Sequence, residues 1–313
     1  MNEINLIINQ FILEGGNLYT LPELYQQLIK QIRSNTASIG EISELLSTDA
    51  ALNAKILKIA NSSLYGFRAE VSTLKQALNL IGLNEVKNLI LMDSIANQFI
   101  NENDYTIINM KSFWQRSVYL ALIAKRLAEK IKHPEPDRLF VSAVMSRIGQ
   151  LVCCTVRPEK VTLILNEHLN SESADIIEFD IEKKHMGFTY NEISAQLLKQ
   201  WKVSEEITHS MQYLHTPLET PAKDNKLQQI DSCILNAATI YSGILEFEEM
   251  SEINNENNMP MTVDAQIYIN KVDDLVNQNL NIDRAMVEDI LFEIEIDAAD
   301  ILNIIYPNSG LIF

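Results

Sequence analysis

The segment from Phe113 to Ile131 constrains the fold most, because on a helical wheel it is apolar nearly all round. A helix of this kind must be covered on several sides by other elements of the fold. A second largely apolar segment follows it at 138–156. The chain is therefore expected to place a central, buried helix at the middle of its core.

Helix signals succeed one another on both sides of this segment. Ser38 to Glu41 forms a capping-box pattern, and Ser72 and Asn84 are predicted to cap two further helices, with Gly82 just past the end of the first of these. Apolar spacing predicts later helices over about 159–169, 173–184, 189–201, 204–214 and 229–246, then two or three acidic helices. No strand pattern is convincing, and 9 Gly and 8 Pro are too few for a β-sandwich or barrel. The predicted fold class is all-α.

The charge of the chain is unevenly distributed. The net charge is −17; residues 1–200 hold 20 Lys and Arg against 22 Asp and Glu, whereas residues 201–313 hold 5 against 20. A nucleic-acid backbone repels such a chain, which argues against reading its helix pairs as a DNA-binding helix-turn-helix. No uninterrupted apolar run reaches the length of a membrane span, and the N-terminus lacks the features of a signal peptide. Three cysteines without a disulfide pattern favour a reducing cytoplasm.

The residues that usually perform catalysis do not form a recognisable set. The five histidines contain no His-x-x-x-His pair and no His-Asp doublet, so a catalytic metal is not expected. No Gly-x-Ser-x-Gly element and no phosphate-binding glycine loop occurs. Cys153 and Cys154 lie in an apolar segment and are expected to be buried without a chemical role. No cofactor is predicted.

Arg147 is the residue that fits its surroundings least. In a continuous helix over 138–156 it shares a stripe with Phe140, Val144 and Leu151, next to Ser146. A buried guanidinium requires a counter-charge. Either an internal carboxylate pairs with it, or the site holds an anion such as a phosphate group or a partner's carboxylate.

The loop Asn-Ser-Ser-Leu-Tyr-Gly at 61–66 interrupts the helical period and has two interpretations. In the first, Asn61 and Ser62 cap helix ends, the ring of Tyr65 packs, and Gly66 adopts a positive φ. In the second, the loop contacts a ligand or a partner.

Several stretches together resemble the HD-related output domain (HDOD) family of bacteria. They are LPEL at 21–24, LLSTDAALNAKILKIANSSLYG at 45–66, STLKQALNLIGLNEVKNLIL at 72–91, FWQRSVYLALIAKRLA at 113–128, FVSAVMSRIGQLV at 140–152, MGFTYNEISAQLLKQWKVSEEI at 186–207 and MQYLHTP at 211–217. The resemblance covers about residues 18–217, and no motif is recognised after them.

The resemblance implies an all-helical fold related to the metal-dependent HD phosphohydrolases, and a regulatory output role in signal transduction. Catalytic relatives hold a His-Asp doublet where this chain has Ser146-Arg147. Arg116 and Tyr190 stand where the family often has histidine, and of the matched metal-ligand positions only His215 remains. A dication facing two arginines is electrostatically unfavourable. Because Arg116 and Arg147 match one ancestral site, we expect them to lie close together.

The expected protein is thus a multi-helix HD-like bundle with additional C-terminal helices: a domain over 1–217, a linker at 218–228, and an acidic helical region at 229–313 packed on the domain. It is expected to act in a bacterial cytoplasm, without catalysis, by binding a signalling protein or a small anionic ligand, but no nucleic acid or membrane. The candidate binding residues are Asn61, Ser62, Tyr65, Arg116, Arg147, Tyr190 and His215. The alternatives are a metal-dependent phosphohydrolase with unrecognised ligands and an acidic scaffold that binds through its C-terminal helices.

Overall fold

The protein is all-α, as its sequence predicts. The computed structural model describes residues 3–15, 23–33, 38–100, 107–170, 178–219, 226–254, 272 and 274–305, and these residues include no β-strand. The α-helices in chain order are α1 (Glu3–Glu14), α2 (Glu23–Arg33), α3 (Ile39–Ser47), α4 (Ala50–Ala60), α5 (Leu74–Leu80), α6 (Leu83–Ile100), α7 (Met110–Lys130), α8 (Pro136–Ser146), α9 (Ile148–Val156), α10 (Pro158–Asn170), α11 (Glu178–Met186), α12 (Tyr190–Gln200), α13 (Glu205–Gln212), α14 (Lys226–Asn254), α15 (Asp274–Leu280) and α16 (Arg284–Ile305). A short 3-10 helix, Pro217–Glu219, follows α13.

The helices group into two compact units. The larger unit comprises Met1–Leu18 and Asp104–Ile294, and the smaller unit comprises Tyr19–Asn103 and Glu295–Phe313. The predicted division of the chain into 1–217, 218–228 and 229–313 follows different boundaries and stays a prediction.

Helix α7 is the centre of the larger unit, as the apolar segment predicts. It packs against α8 and α14, while α12 packs against α1, α9 and α13. The buried face of α7 includes Trp114, Val118 and Leu122. Even Lys125 is buried in this helix, where its ammonium group lies 2.7 Å from the carboxylate of Asp137 at the start of α8.

The smaller unit is a set of short helices whose ends are set by side-chain caps. The capping box at Ser38 is confirmed. The next cap is at Thr73 and not at Ser72, because the side chain of Thr73 accepts from the amide of Gln76 and Gln76 bonds back to the amide of Thr73. The predicted cap at Asn84 is also wrong, since α6 already begins at Leu83.

The predicted single helix over 138–156 is wrong in one respect: Arg147 divides it into α8 and α9. The stretch Pro136–Val156 nevertheless has the length and mean hydropathy of a membrane span, which the sequence prediction missed because scattered charges interrupt its apolar runs. Since 89% of the span-length window is buried inside the fold, it has the environment of a core helix.

A buried ionic network joins α14 to the centre of the larger unit. Asp231 on α14 accepts from the Nη2 group of Arg138 at 2.9 Å and lies 2.9 Å from Nε2 of His133. The amide of Glu135 donates to Nδ1 of His133, so the proton of a neutral His133 is on Nε2, facing Asp231. Burial lowers the pKa of Arg138, but Asp231 and Glu135 outweigh that effect and raise it.

Most of the described residues in the acidic C-terminal region are helical. On α16, Ile290, Ile294 and Ala298 are buried and Leu291 is half-buried, while Glu288 and Glu293 are exposed. Of the predicted linker 218–228, residues 218–219 belong to the 3-10 helix, residues 226–228 belong to α14, and residues 220–225 lie outside the described residues.

The three cysteines are buried, as predicted for Cys153 and Cys154. Burial raises the pKa of the Cys154 thiol to about 12 and raises that of Cys153 as well. Because the thiolate is the reactive form, burial disfavours reaction at Cys153 and Cys154.

Candidate functional site

The candidate site in the larger unit is organised by the break between α8 and α9. Ser146 ends α8, Ile148 begins α9, and Arg147 joins them with φ −96° and ψ −5°. The carbonyl of Arg147 accepts from the amide of Gln150 at 2.9 Å and so starts the first turn of α9. A break of this kind exposes a carbonyl on one side and an amide on the other that helices otherwise satisfy internally.

Two side chains from the first turns of α12 satisfy these groups. The carbonyl of Ser146 accepts from Nδ2 of Asn191 at 3.1 Å and from Oγ of Ser194 at 2.7 Å. The same Oγ accepts from the amide of Gly149 at 2.8 Å. Ser194 thus bonds the end of α8 and the start of α9 at once, and it fixes both to α12.

Gly149 lies where α9 and α12 approach each other most closely. A Cβ atom at this position would lie 2.0 Å from the carbonyl oxygen of Tyr190 and 3.0 Å from Cβ of Ile193. Both are well inside van der Waals contact, and the nearer atom is backbone that cannot rotate away. Glycine is therefore required at this crossing.

His215 extends this arrangement beyond α13. Its Nε2 lies 2.8 Å from Oδ1 of Asn191, and its ring stacks on Phe179 of α11 with centroids 3.7 Å apart. Because Nδ2 of Asn191 donates to Ser146, its Oδ1 is an acceptor and Nε2 of His215 must carry a proton. We call the group formed by Ser146, Gly149, Asn191, Ser194 and His215 the junction network.

The two arginines of the predicted site belong to different segments of the larger unit. Arg147 is 9% exposed, and its Nη2 donates to Oε1 of Gln150 at 3.0 Å. Arg116 is half-buried on α7. That the two guanidinium groups lie close together stays a prediction.

Tyr190 begins α12, and its side chain is buried. Its amide donates to Oε2 of Glu182 at 2.7 Å, and the carboxylate of Glu182 is itself buried. A carboxylate at a helix N-terminus is favourable because it faces the free amides of the first turn. The backbone of Tyr190 therefore helps to fix the N-terminus of α12, from which Asn191 and Ser194 project.

The three remaining candidates, Asn61, Ser62 and Tyr65, belong to the smaller unit. The amide side chain of Asn61 pairs with the backbone of Val71, donating to its carbonyl at 2.8 Å and accepting from its amide at 2.7 Å. The hydroxyl of Ser62 donates to the carbonyl of Ile59. The structure thus gives Asn61 and Ser62 the local roles of the first interpretation.

Sequence reasoning missed Gly149, Asn191, Ser194 and Phe179. Each lies outside any motif with a known ligand chemistry, and the first three are needed only because the chain breaks at Arg147. The residues that the structure describes contain no group of three or more His, Cys, Asp or Glu side chains placed to hold a metal ion.

These contacts define an all-helical protein whose candidate site is closed by hydrogen bonds between helices. A model of the HDOD domain family matches residues 18–217, so the chain belongs to the HDOD domain family. The resemblance stated from the sequence motifs is confirmed.

Solved structures share the fold. An HDOD domain protein of unknown function from Geobacter sulfurreducens aligns with a TM-score of 0.68 at 19% identity, covering 98% of each chain. A Shewanella amazonensis protein, described provisionally as a phosphohydrolase, aligns with a TM-score of 0.65 at 19% identity over 94% of this chain and 97% of its own. A Marinobacter aquaeolei protein, described provisionally as a signal transduction protein, aligns with a TM-score of 0.59 at 21% identity over 91% of this chain and 59% of its own.

Two curated relatives are similar over part of their length. The uncharacterized protein YuxH of Bacillus subtilis (strain 168) is 26% identical over 143 residues, which are 45% of this chain and 34% of the relative. An uncharacterized protein of Treponema pallidum (strain Nichols) is 22% identical over 209 residues, 64% of this chain and 38% of the relative. The chain thus matches just over a third of the length of each relative.

The close crossing at Gly149 gives a direct test of the junction network. Replacing Gly149 by Ala forces α9 and α12 apart, and we expect a loss of unfolding free energy of about 3 kcal/mol or more, measured by denaturant unfolding. Gly40→Ala is the matched control, because its Cβ would meet Ser38 Oγ at an ordinary 3.6 Å. Equal stability of the two variants would show that the helices are not in close contact at Gly149.

Proposed function

We propose that this protein is a regulatory output protein of the bacterial cytoplasm, which acts by binding a partner protein and does not hydrolyse phosphoesters. The observation that carries the proposal is the junction network. At the position where the family resemblance places a His-Asp doublet, the carbonyl of Ser146 is bonded to Asn191 and Ser194, and Asn191 is bonded in turn to His215.

Two properties of this network disfavour a metal ion. Nε2 of His215 carries the proton that it donates to Asn191, so this nitrogen is not available to a metal ion, and in the neutral ring only Nδ1 keeps a lone pair. Arg147 places a permanent positive charge at the same helix break, and a divalent cation is repelled by it. The family match and the Marinobacter relative support a regulatory role.

Two other functions stay open as alternatives. A metal-dependent phosphohydrolase with unrecognised ligands is one, since one of the similar structures is provisionally described as a phosphohydrolase. The other is an acidic scaffold, for which the exposed Glu288 and Glu293 of α16 are the relevant observation.

The first test is metal content together with hydrolysis. We expect purified protein to contain far less than one Fe, Mn or Zn ion per chain and to leave cyclic dinucleotides and a chromogenic phosphodiester intact, because Nε2 of His215 is bonded to Asn191 and Arg147 repels a divalent cation. Elemental analysis and product chromatography measure this.

The control is the His215→Ala variant. If the wild type holds a stoichiometric metal ion, hydrolyses these substrates and loses both properties in His215→Ala, the protein is a phosphohydrolase and the proposal is wrong. A metal retained in His215→Ala together with hydrolysis would also contradict it and would place the ligands elsewhere.

A small anion near Arg147 is a second proposal, supported by the burial of a permanently charged group at the helix break. If the site binds an anion, inorganic phosphate raises the melting temperature of the wild type by mass action and has no such effect on Arg147→Ala. Arg284→Ala, which removes an exposed arginine, is the control and should respond as the wild type does.

The contrary outcome is equally specific. If phosphate does not affect the wild type and Arg147→Ala loses roughly 3–5 kcal/mol of unfolding free energy, Arg147 is paired with an internal carboxylate. The anion proposal then fails.

A further inference from the structure

The loop between α4 and α5 in the smaller unit is held rigidly at both ends. At its base, the side chain of Asn61 makes two hydrogen bonds to the backbone of Val71, 2.7 and 2.8 Å long, and a third to the carbonyl of Leu57. The side-chain amide thus pairs with both the N–H and the carbonyl of one residue, as the backbone of a neighbouring β-strand would. It fixes the separation and the direction of the two ends of the loop.

The middle of the loop is equally constrained. The carbonyl of Ser62 accepts from the amides of Tyr65 and Gly66, and Gly66 has φ +57°, a conformation that a glycine adopts without strain. Leu64 and Val71 are buried and anchor the loop in the unit. The loop is therefore preorganised, and a partner that binds it has little conformational entropy to remove.

This rigid loop presents two aromatic rings to solvent. Tyr65 and Phe67 lie nearly parallel, with centroids 5.8 Å apart and an interplanar angle of 13°, and both side chains are only half-buried. The next residue, Arg68, is exposed. Tyrosine and arginine are the residue types that most often dominate binding energy at protein interfaces.

The segment that carries the rings is opposite in net charge to the chain as a whole. Lys58 in the last turn of α4 and Lys75 in the first turn of α5 are exposed, as is Arg68, and these two helices pack against each other. From 58 to 75 the only acid is Glu70, so the segment has three positive charges against one negative charge in a chain of net charge −17. We call Lys58, Tyr65, Phe67, Arg68 and Lys75 the aromatic–basic loop surface.

We propose that the aromatic–basic loop surface docks an acidic segment of a partner protein, with an apolar side chain of that segment on the ring pair and its carboxylates near the three basic residues. The proposal rests on the proposed function and names the surface that carries it out. A nucleic acid also suits aromatic rings and basic side chains, but the strong negative charge of the rest of the chain repels its phosphates.

A random-peptide phage library selected on the full-length protein tests this chemistry directly. The expected result is enrichment of peptides that combine two or more Asp or Glu residues with an aromatic or large aliphatic residue. The best peptide, labelled with a fluorophore, should bind the wild type with an affinity that falls as salt is added.

Three variants locate the binding site. Arg68→Glu should weaken the peptide about tenfold or more, because it replaces attraction by repulsion at the surface. Lys30→Glu, an exposed position on α2 with the same change of charge, should alter binding by less than about twofold. Phe67→Ala should also weaken binding of the peptide. A thermal melt of each loop variant, compared with that of the wild type, checks that the variant is folded.

The remaining outcomes overturn the proposal. They are enrichment of neutral or basic peptides, no enrichment, equal binding by Arg68→Glu and wild type, displacement of the peptide by a single-stranded oligonucleotide, and self-association of the wild type that Arg68→Glu abolishes. A failure of the loop proposal appears in the peptide-binding experiments, whereas a failure of the proposed function appears as bound metal and hydrolysis in the wild type. The two failures therefore give different results.

Discussion

The candidate site depends on one backbone constraint, the interruption of a buried helix at Arg147. The break leaves the carbonyl of Ser146 and the amide of Gly149 without helical partners in the core, where an unsatisfied polar group costs about 1–3 kcal/mol. Ser194 satisfies both groups, and Asn191 adds a second bond to the carbonyl. These contacts bring α12 onto the break, and the resulting close approach of α9 and α12 requires a glycine at 149.

The same constraint leaves two of the matched positions, Ser146 and His215, bonded within the protein. A site that binds a metal needs several side chains that converge with free lone pairs. Here the side chain of Asn191 bonds to the backbone of Ser146 on one side and to the ring of His215 on the other, and Phe179 covers that ring. These contacts join the end of α8, the start of α12 and the segment that follows α13.

Local signals in the sequence were sufficient for most of the fold. The apolar side chains of the segment Phe113–Ile131 predict the central helix, and the capping box at Ser38 predicts the start of α3. The break at Arg147 could not be predicted, because apolar spacing continues through it and no Gly or Pro precedes it. Its partners Asn191 and Ser194 lie 45 and 48 residues from Ser146, a distance over which periodicity has no information. The sequence prediction placed the cap at Ser72 because two adjacent hydroxyl residues give a similar capping pattern. The cap is at Thr73, since Gln76 lies three residues after it and completes the capping box.

The junction network requires that Nε2 of His215 is protonated and donates to Asn191. Nitrogen-15 NMR of histidine-labelled protein measures this directly, with His215→Gln to assign the signal among the five histidines. We expect a protonated Nε2 on His215 near neutral pH, a signal that Asn191→Ala perturbs, and no change on addition of zinc or manganese. An unprotonated Nε2 whose signal shifts or broadens when either metal is added would contradict this expectation.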